Sequence, residues 1–246
     1  MNIALYGYGK MGKAIEQVAL QREHIVLMKV DQANAGTSPV GCDVAIEFSR
    51  PDSALANMQL CLEAGVPVVV GTTGWYDHLN DVKAMVQANN GALLWASNFS
   101  IGVNLFFRLN RHLASLMDMQ PSYHVHIDEV HHTHKLDAPS GTAITLARDI
   151  DLKTQRYSGW GSMETGETMP PTTENGQPTT VPISSERTGE VPGKHSVTWT
   201  SAEDKITITH DAFGRQGFAT GAVLAAEWLL GKKGLFTMDD VLDQSR

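Results

Sequence analysis

The sequence predicts an α/β protein with a wound parallel sheet in its first part and a smaller α+β unit with a mixed or antiparallel sheet in its second part. Two observations support this fold class. Up to about residue 104, short apolar runs alternate with amphipathic segments, as in a parallel sheet covered by helices. Beyond residue 180, strand-like runs follow one another without intervening helices, which indicates antiparallel or mixed pairing.

Residue periodicity justifies each element of the first part. Met11, Ala14, Ile15 and Val18 recur at helical spacing and form one apolar face. Residues 66–70 are apolar throughout, as a strand buried on both faces must be. The predicted strands are 3–6, 25–30, 44–48, 66–70 and 92–96, and the predicted helices begin at Met11 and span 53–64 and 76–89.

In the second part, residues 123–128 alternate apolar and polar side chains, which predicts a strand with one buried face. Residues 153–180 are rich in Gly, Thr, Pro and Glu without an apolar period, so we predict a long mobile loop there. The other predicted elements are helices at 105–117, 141–150 and 217–230, and strands at 181–185, 196–201 and 206–209.

Composition excludes several functional classes. The 246 residues include 27 acidic and 19 basic side chains, which give a formal charge of -8, and 42% of the residues are hydrophobic. These values are typical of a soluble globular protein of one or two domains. The acidic balance, without a Lys and Arg cluster, argues against nucleic acid or an anionic membrane as partner. The most apolar stretch, 218–230, contains Glu227 and is shorter than the ~20 residues of a membrane span.

The two cysteines indicate a reducing compartment. Cys42 and Cys61 lie in segments predicted as buried strand and helix, which fits neither a disulfide framework nor a thiolate metal site. The first residues run directly into a strand and lack the features of a secretory signal. We therefore expect a cytoplasmic protein.

A glycine motif at residues 7–12 follows the first predicted strand and opens the first helix. Asp31 ends the second predicted strand, 19 residues beyond Gly12. This spacing is typical of a Rossmann-type dinucleotide site, in which the glycines admit the pyrophosphate and the acid binds the adenosine ribose. Gln32 stands where an Arg would bind a 2'-phosphate, which favours NADH over NADPH, whereas Lys10 weakens that preference. The alternative is a glycine-rich turn in an unrelated α/β protein.

Two further loops follow predicted strands, at Gly71–Gly74 and Ser97–Ser100. Ligands of open α/β sheets bind at the carboxyl ends of strands, so both loops are candidate cofactor contacts, with plain turns as the alternative. The candidate cofactor-binding residues are Gly7, Tyr8, Gly9, Lys10, Met11, Gly12, Asp31, Gly71, Thr72, Thr73, Ser97, Asn98, Phe99 and Ser100.

Histidines concentrate just before a predicted helix: five of the chain's 10 lie between residues 124 and 134. His131 and His132 would point to opposite faces of a regular strand, so the strand must end or bulge if both serve one ligand. A histidine can exchange a proton near neutral pH, and Lys135 supplies positive charge for a carboxylate. Ser140 can cap the helix and leave the N–H groups of Gly141 and Thr142 for a second anion.

These two anion sites fit a small dicarboxylate. The alternative is a zinc hydrolase site made of His124, His126, Asp128 and Glu129, but it leaves the glycine motif unexplained, so we expect no metal. Other residues carry no assignment from sequence alone: His134, Arg187, Lys194, His195 and Arg215.

The run from Glu129 to Ala143 resembles the signature of the dihydrodipicolinate reductase (4-hydroxy-tetrahydrodipicolinate reductase) family. The likeness spans nearly the whole chain and includes Gly7 to Gly12, Gly71 to Thr73, residues 98–104 and the Arg187 to His195 segment. Two positions depart from the pattern: Lys10 stands where Arg is more usual, and Gln32 replaces an Arg.

The resemblance implies NAD(P)H-dependent reduction of 4-hydroxy-tetrahydrodipicolinate to tetrahydrodipicolinate with loss of water, in lysine and diaminopimelate biosynthesis. It also implies a homotetramer of two-domain chains, with residues 1–102 and 216–246 binding the dinucleotide and residues 103–215 binding substrate and forming the oligomer. Among site residues it implies His131 as proton donor and acceptor, Lys135 as second catalytic donor, and His132, Lys135, Gly141 and Thr142 as substrate contacts.

Two other functional classes stay open from the residues alone. One is another two-domain NAD(P)-dependent reductase, such as an amino-acid dehydrogenase, with a different small acid in the same site. The other is a nucleotide sensor that lost the chemistry.

Overall fold

The computed structural model describes residues 1–163 and 179–243. Its chain divides into two units, of which unit 1 contains Met1–Ile101 with the segment from Arg215, and unit 2 contains Gly102–Gly214. The elements in chain order are β1 (Asn2–Tyr6), α1 (Lys10–Gln21), β2 (Ile25–Val30), β3 (Val44–Glu47), α2 (Pro51–Glu63), β4 (Val68–Val70), α3 (Leu79–Ala88), β5 (Ala92–Trp95), α4 (Ile101–Met117), β6 (His124–His131), α5 (Gly141–Lys153), β7 (Trp160–Met163), β8 (Val181–Arg187), β9 (Lys194–Thr200), β10 (Lys205–Asp211), α6 (Gln216–Leu229), β11 (Gly234–Phe236) and α7 (Met238–Asp243).

The sheet of unit 1 has six strands in the order β11-β5-β4-β3-β1-β2, and all neighbours pair in parallel. Alternate strand residues point to opposite faces, so Ile3 and Leu5 pack in one core layer while Ala4 and Tyr6 pack in the other. Helices α1 and α6 cover the first layer, and α2 and α3 cover the second. Both faces are therefore buried, which explains the continuous apolar runs of these strands.

Unit 2 is built on a mixed sheet in the order β10-β9-β6-β8-β7. Strand β6 pairs in parallel with β8 and antiparallel with β9. Its apolar side chains Val125 and Ile127 are buried together with Leu146 and Ile150 of α5. The opposite face is polar and partly exposed, with hydroxyl pairs between β9 and β10 such as Thr198 with Thr207. The predicted α/β class with a second, mixed-sheet unit is confirmed.

Several predicted boundaries were wrong for local reasons. Strand β4 begins at Val68 rather than residue 66, because Pro67 has no N–H for a ladder and uses its carbonyl to accept from Ala45. Helix α2 begins earlier, at Pro51, where a proline suits the first turn. Cys42 is buried, but it precedes β3 instead of lying within a strand.

The predicted loop at 153–180 was wrong at residues 160–163, which form β7 and pair in parallel with β8. Residues 154–159 and 179–180 contain neither helix nor strand. Residues 164–178, the remainder of that prediction, lie outside the described residues. Within the described ranges, no helix is both long and apolar enough to cross a membrane.

Candidate functional site

Four candidate segments of unit 1 lie at one edge of its sheet. All six strands run in parallel, so the loops after β1, β2, β4 and β5 leave from the same edge. Strand β1 lies between β2 and β3, which means that the chain reverses its direction of winding at this strand. Such a switch point is where open α/β sheets bind ligands. The segments brought to this edge are Gly7–Gly12, Asp31, Gly71–Thr73 and Ser97–Ser100.

The three motif glycines have different physical roles. Gly7 has φ +90°, and a Cβ there would overlap the Phe48 carbonyl and lie 2.7 Å from Ser49 Cα. A Cβ on Gly12 would overlap the Gly7 carbonyl oxygen, so this glycine permits close packing of α1. Gly9 has no atom within 4 Å of its hypothetical Cβ, and it precedes α1 without a side-chain cap. The open space at a helix N-terminus fits a dinucleotide phosphate.

Asp31 is exposed at the end of β2 and caps a short turn formed by residues 32–34. Its Oδ1 accepts from Ala33 N–H at 2.8 Å, and its own N–H donates to Asn34 Oδ1 at 2.7 Å. The turn therefore fixes the carboxylate at the strand end, where a ribose hydroxyl of a bound dinucleotide would need it.

A side-chain cluster that the sequence analysis missed supports the glycine segment. The Tyr8 hydroxyl donates to Glu16, and Lys29 Nζ lies 2.5 Å from Glu16 Oε1 and 4.7 Å from the Tyr8 ring centroid. The hydrogen bond from Lys29, and to a smaller extent the one from Tyr8, lowers the pKa of Glu16. Lys29 lies near the end of β2, two residues before Asp31, and that spacing is the signal that could have identified it.

The other two loops of unit 1 present few side chains to solvent. A Cβ on Gly71 would overlap the Phe48 ring, and Thr72 is buried with its hydroxyl unpaired among the described residues. Phe99 packs in the core of unit 1, with its ring centroid 5.6 Å from that of Phe48. The exposed residues of the two candidate segments are Thr73 and Ser97, so these two side chains and the loop backbones are what a ligand can reach.

In unit 2, the candidate residues lie around the end of β6. The buried face of this strand continues from Val125 and Ile127 to Glu129 and His131, so apolar residues give way to ionisable ones. Strand β6 ends at His131, and the backbone turns there, with Lys135 N–H donating to the His132 carbonyl at 3.1 Å. His132 therefore lies outside the strand alternation that would separate it from His131.

Glu129 is the most enclosed charged group of the cluster, with a side chain that is 0% exposed. Its Oε2 contacts His131 Nδ1, while Oε1 accepts from Arg187 Nη2 at 2.8 Å and from Ser140 N–H at 3.2 Å. Burial raises the pKa of this carboxyl, but the adjacent His131 and Arg187 side chains outweigh burial and hold the pKa well below its usual range. Glu129 is therefore an ionised, fully buried carboxylate.

His195 packs edge-on against His131, with ring centroids 5.0 Å apart. Its Nε2 lies 3.0 Å from Ser140 Oγ, which also accepts from Ala143 N–H at 3.3 Å as the cap of α5. Ser140 Oγ therefore links the ring of His195 to the first turn of α5. Burial, followed by the charge of His131, lowers the pKa of His195 to about 3, so its ring is neutral near pH 7.

Lys135 joins this network through Asp137. Its Nζ lies 2.8 and 2.9 Å from the two carboxylate oxygens of Asp137, and Arg187 Nη2 donates to the Asp137 carbonyl at 2.5 Å. Burial raises the pKa of Asp137, but the hydrogen bond from Lys135 lowers it by more, so the net pKa is below its usual value. Arg187 thus connects the loop that carries Lys135 to Glu129.

Ser140 caps α5 as predicted, and Gly141 and Thr142 are the first residues of that helix. Backbone N–H groups in the first helical turn have no partner within the helix, so this end can bind an anion. The structure thus gathers His131, Lys135 and the start of α5 around Glu129 and Arg187.

The roles of Glu129, Arg187 and His195 in this cluster were not predicted from the sequence. Glu129 could have been found, because it occupies an apolar-face position two residues before His131. Arg187 and His195 come close only through strand pairing, in which His131 is paired with Arg187 and Glu129 with His195. No local sequence pattern encodes those pairings.

The four residues of the zinc alternative do not come together as one set of ligands. Asp128 is exposed and contacts His126 at 3.2 Å, whereas Glu129 is buried on the opposite face of β6. Glu129, His131 and His195 do offer ligand atoms within 4.8 Å of one another. Arg187 holds a positive charge against that carboxylate, which opposes a second cation there.

Comparison with known proteins identifies the family. Residues 1–99 match the profile "Dihydrodipicolinate reductase, N-terminus" and residues 102–242 match "Dihydrodipicolinate reductase, C-terminus". The chain is 46% identical over 244 residues to the 4-hydroxy-tetrahydrodipicolinate reductase of Christiangramia forsetii, covering 98% of both chains. It is 37% identical over 206 residues to the enzyme of that name from Neisseria gonorrhoeae, covering 81% of this chain and 72% of the relative.

Solved structures agree in fold. A dipicolinate-bound dihydrodipicolinate reductase from Paenisporosarcina sp. TG-14 superposes with a TM-score of 0.73 at 24% identity, covering 96% of this chain and 97% of the other. An amine dehydrogenase from Mycobacterium smegmatis gives a TM-score of 0.58 at 11% identity, with 97% and 95% covered. The family profiles and the full-length relative show that the chain belongs to the dihydrodipicolinate reductase family.

Proposed function

We propose that this protein catalyses the NAD(P)H-dependent reduction of 4-hydroxy-tetrahydrodipicolinate to tetrahydrodipicolinate, with loss of water, in lysine and diaminopimelate biosynthesis. The observation that carries the proposal is the cluster at the end of β6, where His131 contacts the buried carboxylate of Glu129 and Lys135 joins the same network. The full-length relative, which bears the name of this reductase, supports the same reaction.

The reaction adds a hydride and a proton to the substrate and releases water, so the protein must deliver one proton and hold two carboxylates. Bound NAD(P)H supplies the hydride to the ring carbon that loses hydroxide. We assign the proton transfer to His131, because a histidine exchanges protons near neutral pH and this one is oriented by Glu129. Lys135 is the second catalytic donor and also binds a carboxylate by its charge.

The substrate sites follow from charge. We assign one carboxylate to His132 and Lys135, and the other to the N–H groups of Gly141 and Thr142 at the positive end of α5. A dicarboxylate would then be held between a side-chain cation and a helix dipole, with His131 beside it. In this proposal residues 103–215 form the substrate-binding domain, and residues 1–102 with 216–246 form the dinucleotide-binding domain.

For the cofactor, we propose that both NADH and NADPH bind, with NADH favoured. The residues of unit 1 fit a dinucleotide, since Gly9 leaves open space at the start of α1 and Asp31 presents a fixed carboxylate. Gln32 supplies no positive charge for a 2'-phosphate, and Lys29 is engaged by Glu16. The proposed pyrophosphate and ribose contacts are the loop residues 7–12, 71–73 and 97–100 together with Asp31.

We further propose a cytoplasmic homotetramer that works without a metal and without nucleic acid or membrane partners. The open polar face of the unit 2 sheet, with its Thr198 and Thr207 pair, is the surface we assign to association of the chains. The Arg187 guanidinium against Glu129 supports proton chemistry over a cation at that carboxylate.

Two substitutions test the assigned roles. His131→Ala is expected to lower kcat by about 10²-fold or more with little effect on NADH binding, because it removes the proton donor. Lys135→Ala is expected to lower kcat and also raise KM, since Lys135 holds charge in both ground and transition states. Steady-state kinetics with enzymatically generated substrate measures both, and Lys153→Ala, at the end of α5, is the control. Equal, small effects of the two changes would reject these roles.

A further inference from the structure

Glu129 is the one fully buried carboxylate of the cluster that has no direct role in the proposed chemistry. We propose that Glu129 is a positioning residue that fixes the tautomer and orientation of His131, so that Nε2 is the atom that exchanges a proton with substrate. This inference rests on the proposed function, because it gives a role to Glu129 in the same site.

Strand geometry places the two side chains on the same face. Glu129 and His131 are two residues apart in β6, so their side chains point to the same, buried face. Glu129 Oε2 contacts His131 Nδ1 there. An ionised carboxylate can only accept hydrogen bonds, which requires His131 Nδ1 to carry a proton and leaves Nε2 as the basic nitrogen.

Two partners other than His131 hold the carboxylate itself. Arg187 Nη2 and the Ser140 N–H both donate to Oε1, at 2.8 and 3.2 Å, which leaves Oε2 for the histidine. Arg187 is the last residue of β8 and is paired with His131 in the sheet. The position of Glu129 is thus set by β8 and by the cap of α5, as pre-organised catalytic groups require.

The space beside the other nitrogen is kept open by a glycine. Gly193 has φ +150°, and a Cβ there would lie 3.0 Å from His131 Nε2. Any other residue at this position would crowd the atom that we assign to proton transfer. The glycine therefore leaves His131 Nε2 without a side chain packed against it from this position.

The remaining charged groups near His131 do not compete for Nδ1. His195 of β9 is neutral near pH 7 and is paired with the Ser140 hydroxyl at Nε2, and Lys135 is paired with Asp137. Arg187 is directed to Glu129 and to the Asp137 carbonyl. Among the described residues, Glu129 is thus the one charged group that contacts Nδ1.

The ring nitrogens of His131 can be observed directly by ¹⁵N NMR of the folded, full-length protein labelled at histidine. The signals are assigned by their loss in His131→Ala. At alkaline pH we expect protonated Nδ1 and unprotonated Nε2 in the unsubstituted protein. A predominant Nε2–H tautomer would overturn the proposal, and this measurement needs neither substrate nor a Glu129 variant that folds.

Kinetics of Glu129→Gln provides the second measurement. We expect kcat to fall by about 10²-fold or more with NADH affinity unchanged, because a neutral amide no longer enforces the tautomer. We also expect the pH profile of kcat/KM to move to lower pH by about one unit, since the imidazolium loses its counter-charge. A merely structural role would lower activity without moving the pH profile.

Glu190→Gln is the matched control, because it makes the same substitution at a glutamate of unit 2 whose side chain is exposed. Its kinetics and pH profile should equal those of the unsubstituted protein. Identical pH profiles for Glu129→Gln and Glu190→Gln would contradict the positioning role. Absence of reductase activity in the unsubstituted protein would instead reject the proposed function and leave the NMR result to decide the tautomer.

Discussion

Two pairs of side chains hold the unit 2 site, one neutral and one charged. The neutral ring of His195 is 5% exposed and is paired with the Ser140 hydroxyl, whereas the charge of Glu129 is balanced by Arg187. Burying a neutral histidine avoids the cost of desolvating an imidazolium. These contacts hold the side chains of the site near neutral pH, and the stability of the folded protein is sensitive to acid because His195 is buried in its neutral form.

The buried neutral state of His195 predicts a specific loss of stability in mild acid. Its pKa is lowered from 6.5 to about 3 in the folded protein. As pH falls below 6.5, His195 therefore becomes protonated in the unfolded chain but stays neutral in the folded chain, which lowers the free energy of unfolding. Between pH 6.5 and 5 this residue should cost about 2 kcal/mol of unfolding free energy. At pH 5 the carboxyl of Glu129, whose pKa is also lowered in the fold, does not yet contribute.

His195→Asn is therefore expected to show a smaller decrease in unfolding free energy over this pH range, although the variant is less stable throughout. Denaturant unfolding at pH 6.5 and 5 measures the difference. The same substitution at His112, which is exposed on α4, should leave the pH dependence as it was. Parallel pH dependences for His195→Asn and the unsubstituted protein would show that His195 is not buried in its neutral form.

At the scale of elements, residue periodicity predicted most helices and strands, and tertiary packing decided the rest. Helix α4 begins at Ile101 rather than residue 105, because burial of Val103 and Phe106 outweighs the low helix propensity of Gly102 and Asn104. The three-residue strand β11 has too short a pattern to predict and exists through its pairing with β5. Periodicity reports local burial, whereas edge strands depend on distant partners.

The glycine segment gives a matched pair of substitutions. Gly7→Ala is expected to lower Tm by several degrees or prevent folding, because its Cβ would overlap the Phe48 carbonyl and φ is +90°. Gly9→Ala should leave Tm unchanged but weaken NADH binding by about tenfold or more, since its Cβ would enter the open space at the start of α1. Thermal unfolding and NADH titration measure the two effects. Unchanged NADH affinity in a folded Gly9→Ala variant would place the pyrophosphate elsewhere.

At the scale of the whole molecule, the acidic chain is proposed to bind two anionic ligands. The formal charge is -8, so positive potential has to be local, from Lys10, Lys13, Lys135 and the starts of α1 and α5. The glycine motif and the histidine run each pointed to an anion site from sequence alone. The arrangement of Arg187 and His195 around Glu129 could not be predicted, because it depends on pairing between strands far apart in the chain.

The proposed tetramer is a prediction about mass in solution. Sedimentation equilibrium is expected to give a species of four 26.8 kDa chains. Charged substitution of two partly exposed hydroxyl residues of the open sheet face, Thr198→Lys with Ser196→Lys, should reduce the mass by like-charge repulsion between chains. A monomer under all conditions would contradict the assignment of this face to association.

We propose that the cluster around His131 delivers the proton of a nicotinamide-dependent reduction of 4-hydroxy-tetrahydrodipicolinate. The most direct test follows the absorbance of NADH, and then of NADPH, while a coupled enzyme generates this substrate. We predict oxidation of both cofactors, with a higher kcat/KM for NADH, inhibition by pyridine-2,6-dicarboxylate, and at least about 10²-fold slower oxidation with His131→Ala. Failure of the unsubstituted protein to oxidise either cofactor would contradict the proposed reaction. Full activity of His131→Ala would contradict the assignment of proton transfer to His131.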